Sequence, residues 1–272
     1  MLSPVSDIER LRWRQPPSEA PLLRQRWCDL AFLHWSVDPA RLAPLLPPRI
    51  QLDTWEGRAY IGIVPFAIRG TRPPPLPPLP GIGSFPEVNL RTYVHRNGRA
   101  PGVWFFSLDA GSRLAVWGAR LAYKLPYFFA RMSISRGPEG TVIFNSRRTE
   151  RDGRARFECR YRPIGAAAEA EAGTLAFFLL ERYLLYSWDD RLLRSARVWH
   201  RPYPIAPGRV DGLIEELTTS AGIPEHGSEP PLVHYARDLD VRIYRPGPVR
   251  ERIAQGSVPA TPEPFPAVPA LP

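Results

Sequence analysis

Lysine is almost missing from this chain. Of its 36 Lys and Arg residues only Lys124 is a lysine. Arginine stays protonated, whereas a desolvated lysine can become a nucleophilic amine. Amine chemistry on a carbonyl by a lysine side chain would therefore have to use Lys124. The competing reading is compositional: an Arg-, Ala- and Pro-rich chain replaces lysine with arginine, and the stem of Lys124 covers apolar neighbours while its ammonium reaches water. Cysteine is scarce too. Cys28 and Cys159 make no disulfide framework and no CxxC pair, and read as buried thiols of a cytoplasmic protein. No apolar run approaches the roughly 18 residues of a membrane span. The N-terminus lacks the basic and apolar regions of a secretory signal. The five histidines are scattered, without HExxH or His-x-His spacing, so no metal and no cofactor is expected. GxSxG is missing, and the glycines at 81 and 83 lack the context of a phosphate loop.

Hydrophobic residues make up 44% of the chain and aromatics 11%, enough for a sizeable core. The net charge is +9. The arginines are interleaved with acids and no nucleic-acid motif accompanies them, so attraction of small anions is the simpler inference. Three segments are expected: a loosely ordered leader over 1–24, one domain over 25–250, and a disordered Pro- and Ala-rich tail over 256–272. Residues 73–80 read as a stiff polyproline II loop at one end of a sheet, with SH3-ligand spacing as the competing reading.

Alternating patterns dominate. A hairpin is expected over 50–66 around Glu56-Gly57, and a stronger one over 88–108 around Asn97-Gly98, the preferred pair of a type I′ turn. A third joins 141–149 to 154–162 through Asp152-Gly153. In it Ala155, Phe157, Cys159 and Tyr161 face a core and the arginines between them face water. Strands are also expected at 184–188, 192–199 and 232–244, and helices at 111–123, 174–182 and 210–219. The fold class is mainly β (α+β), a closed or nearly closed barrel with a few packed helices.

The Asn-Gly ribbon carries the candidate site. A regular two-residue hairpin pairs Tyr93 with Gly102, Arg91 with Trp104, Asn89 with Phe106 and Glu87 with Leu108. One face then mixes Trp104, Phe106 and Leu108 with Glu87, Asn89, Arg91 and Tyr93. Open solvent disfavours the aromatics, and a dry core disfavours unpaired charge. An internal cavity satisfies both, and so does a structural Glu–Arg pair sealing a barrel end.

Several segments, taken in order, resemble the DUF2071 (YqjF-like) family. They are Phe32-Leu33-His34-Trp35, Leu45-Leu46-Pro47, Val64-Pro65-Phe66, Glu87-Val88-Asn89-Leu90-Arg91-Thr92-Tyr93, Gly102-Val103-Trp104-Phe105-Phe106, Leu125-Pro126-Tyr127-Phe128 and His200-Arg201-Pro202-Tyr203. The resemblance spans roughly 25–245 and implies an acetoacetate-decarboxylase-like fold, a closed antiparallel β-barrel around a cavity. Acetoacetate decarboxylases carry a Gly-Arg-Glu…Gly-x-Pro-Lys-Lys stretch whose first paired lysine forms the Schiff base. Aligned on the proline, Arg120 matches the arginine, Leu121 replaces the glutamate, Lys124 takes the glycine position, and Tyr127 and Phe128 replace the lysines. Acetoacetate decarboxylation itself is therefore not expected.

Three functions follow. The first is binding of a small anionic or carbonyl-bearing molecule, held by Arg91 and Arg120 between Trp104, Phe106 and Tyr127, with Asn89, Tyr93 and Glu87 orienting it. The second is a Schiff-base lyase or aldolase-like enzyme acting on a keto acid through Lys124, with Glu87 as acid/base. The third is a basic adaptor for acidic partners. No nucleic-acid or membrane partner is expected, and a homo-oligomer is compatible with each reading.

Overall fold

The computed structural model describes residues 5–78, 83–149, 154–189, 191–223 and 232–249. The expected tail over 256–272 and the Asp152-Gly153 turn lie outside them. Thirteen strands alternate with short helices: α1 (Asp7–Arg14), β1 (Leu23–Val37), α2 (Pro39–Leu42), β2 (Gln51–Leu52), β3 (Ala59–Arg72), β4 (Phe85–Arg96), β5 (Arg99–Ala110), α3 (Arg113–Tyr123), β6 (Tyr127–Arg136), β7 (Val142–Arg148), β8 (Arg156–Pro163), α4 (Leu175–Leu180), β9 (Leu184–Trp188), β10 (Leu193–His200), β11 (Ile205–Glu215), α5 (Leu217–Ser220), β12 (Leu232–Ile243) and β13 (Gly247–Pro248). No helix among the described residues is long and apolar enough to cross a membrane.

The pairings form one sheet that closes on itself. A wall of five strands runs β5-β4-β3-β1-β12. The free edge of β5 is shared by β9 and β6, both parallel to it. The far edge of β12 is likewise shared by β10 and β11. The β9–β10 arm and the β6-β7-β8-β11 arm thus each connect the two edges of the wall, giving two fused closed circuits. Closure leaves the strands of the wall no open edge. It also explains why the wall is apolar on both faces. Leu30, Phe32, Val64, Phe66, Tyr93, Phe105 and Leu108 fill one interior with α4, β9 and β10. Ala31, Leu33, Ile61, Ile63, Val88 and Leu90 fill the other with β6, β7, β8 and β11. The expected alternation in β8 holds, with Phe157, Cys159 and Tyr161 all buried.

Four expectations need correction. Residues 210–219 form the end of β11 and only a single turn of helix. A Cβ on Gly208 would lie 2.8 Å from Val233, which marks close packing of β11 against β12. β2 pairs with β4 and not with β3; only the Trp55–Arg58 bridge surrounds Glu56-Gly57. Residues 73–76 make a tight turn, Leu76 N–H donating to Pro73 O at 2.8 Å, so polyproline II does not run through them.

The fourth concerns the leader, much of which is structured. Ser6 caps α1 by accepting from Glu9 N–H. From that helix the buried Arg10 guanidinium meets Asp53 at 2.7 and 2.9 Å, and Arg182 reaches the same carboxylate at 2.6 Å. Arg14 N–ε donates to Glu181, and Arg197 donates to the Trp13 and Gln15 carbonyls. Burial raises the Asp53 pKa, but the two guanidiniums outweigh it and hold the carboxyl below its ordinary value. Asp53→Ala would strand two buried cations. The expected loss is about 3–5 kcal/mol, measured by urea unfolding at neutral pH.

Candidate functional site

The β4–β5 ribbon begins as its turn predicts. Asn97 and Gly98 have φ of 50° and 71°, and Arg96 pairs with Arg99. Two bulges then each insert one extra residue into β5, the first beside Ala100 and the second at Phe106. Each bulge moves the register by one. The pairs become Tyr93 with Val103, Arg91 with Phe105, Asn89 with Leu108 and Glu87 with Ala110. Trp104 and Phe106 therefore leave the face they were expected to share with Arg91. Trp104 packs with Ile50, Val94 and Tyr186, and Phe106 packs with the second interior. Phe105 takes their place beside Arg91.

The rest of the face is assembled from distant segments. Gly62, Val64 and Phe66 of β3 stand opposite Arg91, Asn89 and Glu87. His34 stands opposite Gly62, and His234 on β12 opposite Phe32. Gly62 leaves room there, since a Cβ would lie 3.1 Å from the Tyr93 hydroxyl and 3.2 Å from the His34 ring, a tight contact.

Glu87, Asn89, Arg91 and Tyr93 are all buried. Arg91 is the cation of the group. Its guanidinium lies 5.5 Å from the Phe32 ring centre and 5.7 Å from that of Tyr93. One N–H reaches the Leu179 carbonyl of α4 at 3.4 Å, and Nε has no partner. Among the described residues Arg91 makes no ion pair. Asn89 Oδ1, His34 Nδ1 and His234 Nδ1 are buried and likewise have no hydrogen-bond partner among the described residues. His34 Nε2 shares a hydrogen bond of 2.7 Å with the Tyr93 hydroxyl. Burial, then Arg91 and His234, hold the pKa of His34 well below its ordinary value; burial lowers that of His234. Both rings are therefore neutral at neutral pH.

Glu87 lies at the other end of the row and accepts from the Tyr127 hydroxyl at 3.1 Å. Burial raises its pKa to about 8; the Tyr127 bond lowers it, and Asp109 adds to the rise. Asp109 itself is held by the buried Arg148, at 2.8 Å. Glu87 is thus mostly protonated at neutral pH, able to donate a proton but not to neutralise Arg91.

Besides Trp104 and Phe106, two further predicted residues lie outside this group. Arg120 is on the exposed part of α3, where it donates to the Tyr127 carbonyl at 2.6 Å. Lys124 caps the C-terminus of α3 in the left-handed conformation, φ 54°, with an exposed side chain. It borders a surface cavity of about 670 Å³ with Trp188, Asp189, Arg191, Leu192 and Arg194. His34 and His234 were not singled out as site residues, because 200 positions separate them. The signal available was His34 within the Phe-Leu-His-Trp segment. No group of three or more metal-binding side chains occurs among the described residues. In β8, Arg156 and Arg162 are paired with Glu158, Glu139 and Asp211.

Solved structures of acetoacetate-decarboxylase-like proteins superimpose on this chain and share its fold. The enduracididine biosynthesis enzyme MppR complexed with pyruvate matches with a TM-score of 0.59 at 12% identity, covering 86% of this chain and 93% of that one. An acetoacetate decarboxylase-like enzyme from Sphingomonas wittichii RW1 matches with a TM-score of 0.58 at 14% identity, covering 87% and 96%. Acetoacetate decarboxylase from Legionella pneumophila matches with a TM-score of 0.55 at 15% identity, covering 93% and 98%. The chain belongs to the DUF2071 family, described as an uncharacterized conserved protein, whose model matches residues 24–240. The uncharacterized protein YqjF of Bacillus subtilis (strain 168) is 40% identical over 223 residues, 82% of this chain and 90% of that protein.

The Glu87 geometry sets a pH dependence. Its folded pKa lies above the ordinary 4.5, so its contribution to stability is complete below about pH 4.5 and is lost as pH rises through about 8. Across that window stability should fall on the order of 1.4 kcal/mol per pH unit from this group. In Glu87→Gln that slope should be absent, which denaturant titrations at several pH values would measure.

Proposed function

We propose that this protein binds a small organic monoanion bearing a carbonyl, of the 2-oxo acid class, in the interior beside β4. The observation that carries the reading is the buried Arg91, which has no counter-ion among the described residues, while Glu87, further along the same strand face, is mostly neutral. A buried cation without a partner is costly, and a bound carboxylate would supply the missing charge. Asn89 Oδ1 and the two histidine Nδ1 atoms are further unfilled positions along the same face. Protonated Glu87 is suited to donate to the carbonyl oxygen at the far end of the row. Arg91 and Glu87 are separated by four residues of strand, about 13 Å between Cα atoms, so the long arginine side chain must bring the carboxylate inward. The neighbour MppR, which has been solved with pyruvate, supports this substrate class. The two free buried cysteines fit a cytoplasmic setting.

Calorimetric titration with pyruvate and longer 2-oxo acids tests the reading. Wild type should bind, and Arg91→Gln should weaken binding by about 2–5 kcal/mol, the usual loss when one partner of a buried charge pair is removed. Lys124→Met should bind as wild type does, and borohydride should trap no adduct at Lys124. Unchanged affinity in Arg91→Gln would sink the proposal; a trapped adduct would move the chemistry to Lys124.

A further inference from the structure

Far from that interior, the outer face of β12, β1 and β3 presents an array that folding does not explain. Arg24 on β1 stands directly opposite Arg242 on β12 and Arg72 on β3. In the next row Arg26 stands opposite Asp240 and Arg69. These six side chains surround a surface cavity of about 330 Å³. Directly opposed side chains in a sheet are about 5 Å apart, and like charges in that relation destabilise it. Five arginines against Asp240, with Asp238 in the next row, is the reverse of what stability alone would select.

The array also depends on a specific backbone device. Arg69 and Arg72 are three residues apart, so in a regular strand they would point to opposite faces. Between the two pairings β1 has one residue, Gln25, whereas β3 has two, Gly70 and Thr71. This bulge turns Arg72 onto the same face as Arg69. Gly70 makes it feasible, with φ at 62°, a region that L side chains rarely adopt. Thr71 is buried on the other side and accepts from the Gln25 amide at 3.2 Å.

The charges are unequally committed. Arg26 is paired with Asp238, and Arg242 lies 4.7 Å from the Trp199 ring centre. Arg24, Arg69 and Arg72 make no ion pair among the described residues. The β8 face, by comparison, mixes carboxylates among its arginines. Across three strands the outer guanidiniums stand about 10 Å apart at their backbones, and successive rows are about 7 Å apart. Planar guanidiniums bind phosphate oxygens in forked pairs.

From this we infer that the β12-β1-β3 face is a binding site for two linked phosphate groups, either inorganic pyrophosphate or the diphosphate of a larger ester. Two phosphates match the width of the row and its uncommitted charge, and the bulge at Gly70 exists to complete the cradle.

Calorimetry in 150 mM salt, on the order of physiological ionic strength, would test this with pyrophosphate, ADP, orthophosphate and sulfate. Pyrophosphate should bind once per chain, at least tenfold tighter than orthophosphate or sulfate. Equal binding of ADP would assign recognition to the diphosphate within an ester; tenfold weaker ADP would assign it to free pyrophosphate. Arg24→Gln/Arg72→Gln should weaken pyrophosphate at least tenfold, while Arg154→Gln/Arg160→Gln beside and on β8 should change it less than twofold. Without anion the first double variant should melt at or above the wild-type temperature, since repulsion has been removed, and pyrophosphate should raise only the wild-type melting temperature. The site is overturned if pyrophosphate binds no tighter than orthophosphate, if Arg24→Gln/Arg72→Gln retains wild-type affinity, or if a single-stranded oligonucleotide displaces pyrophosphate at lower concentration than ADP does.

Discussion

The constraint on which the structure depends is that one five-stranded wall serves two closed interiors. Along their enclosed stretch, successive side chains of β1, β3 and β4 enter opposite interiors, so both faces there must be apolar. A polar residue in that enclosed stretch is consequently buried, as Glu87, Asn89 and Arg91 are, whereas Arg24, Arg26 and Arg69 lie beyond it and are exposed. Glu87, Asn89 and Arg91 are therefore in an environment that shifts proton equilibria and leaves polar atoms without solvent. The neutral Glu87, the neutral histidines and an Arg91 without an ion pair among the described residues follow from the closure of the sheet.

Bulges are the means by which this protein places charge. Two in β5 exchange the aromatic neighbours of Arg91, replacing Trp104 and Phe106 with Phe105. One in β3 adds Arg72 to the outer face. In each case one inserted residue reverses the facing of the residues beyond it while leaving the strand order intact. The buried site and the outer arginine cradle are thus products of the same local device on two sides of one wall.

Much of the fold was legible because its signals are local. Asn97-Gly98 supplies two residues with positive φ at the ribbon turn. The alternation of Phe157, Cys159 and Tyr161 with arginines describes a strand with one buried face. The segments from Phe32 to Tyr203 point to the family. The bulges were not legible, since nothing near Ala100 or Phe106 marks an extra residue. The helix at 7–14 is not legible either, because what holds it is Asp53, 43 positions beyond Arg10. Lys124 stood out by rarity, yet its place at the end of α3 leaves it exposed.

The amino-acid sequence by itself determined the strands, the main turn, the membership of the family and the presence of Glu87, Asn89, Arg91 and Tyr93 on one strand face, because period-two alternation and turn chemistry act between near neighbours. Only the tertiary structure decided which aromatics flank Arg91, that His34 and His234 join it, that Arg120 and Lys124 do not, and that three strands align arginines on an outer face. Those outcomes depend on register, and register between strands is set by bulges and by packing across the closed wall.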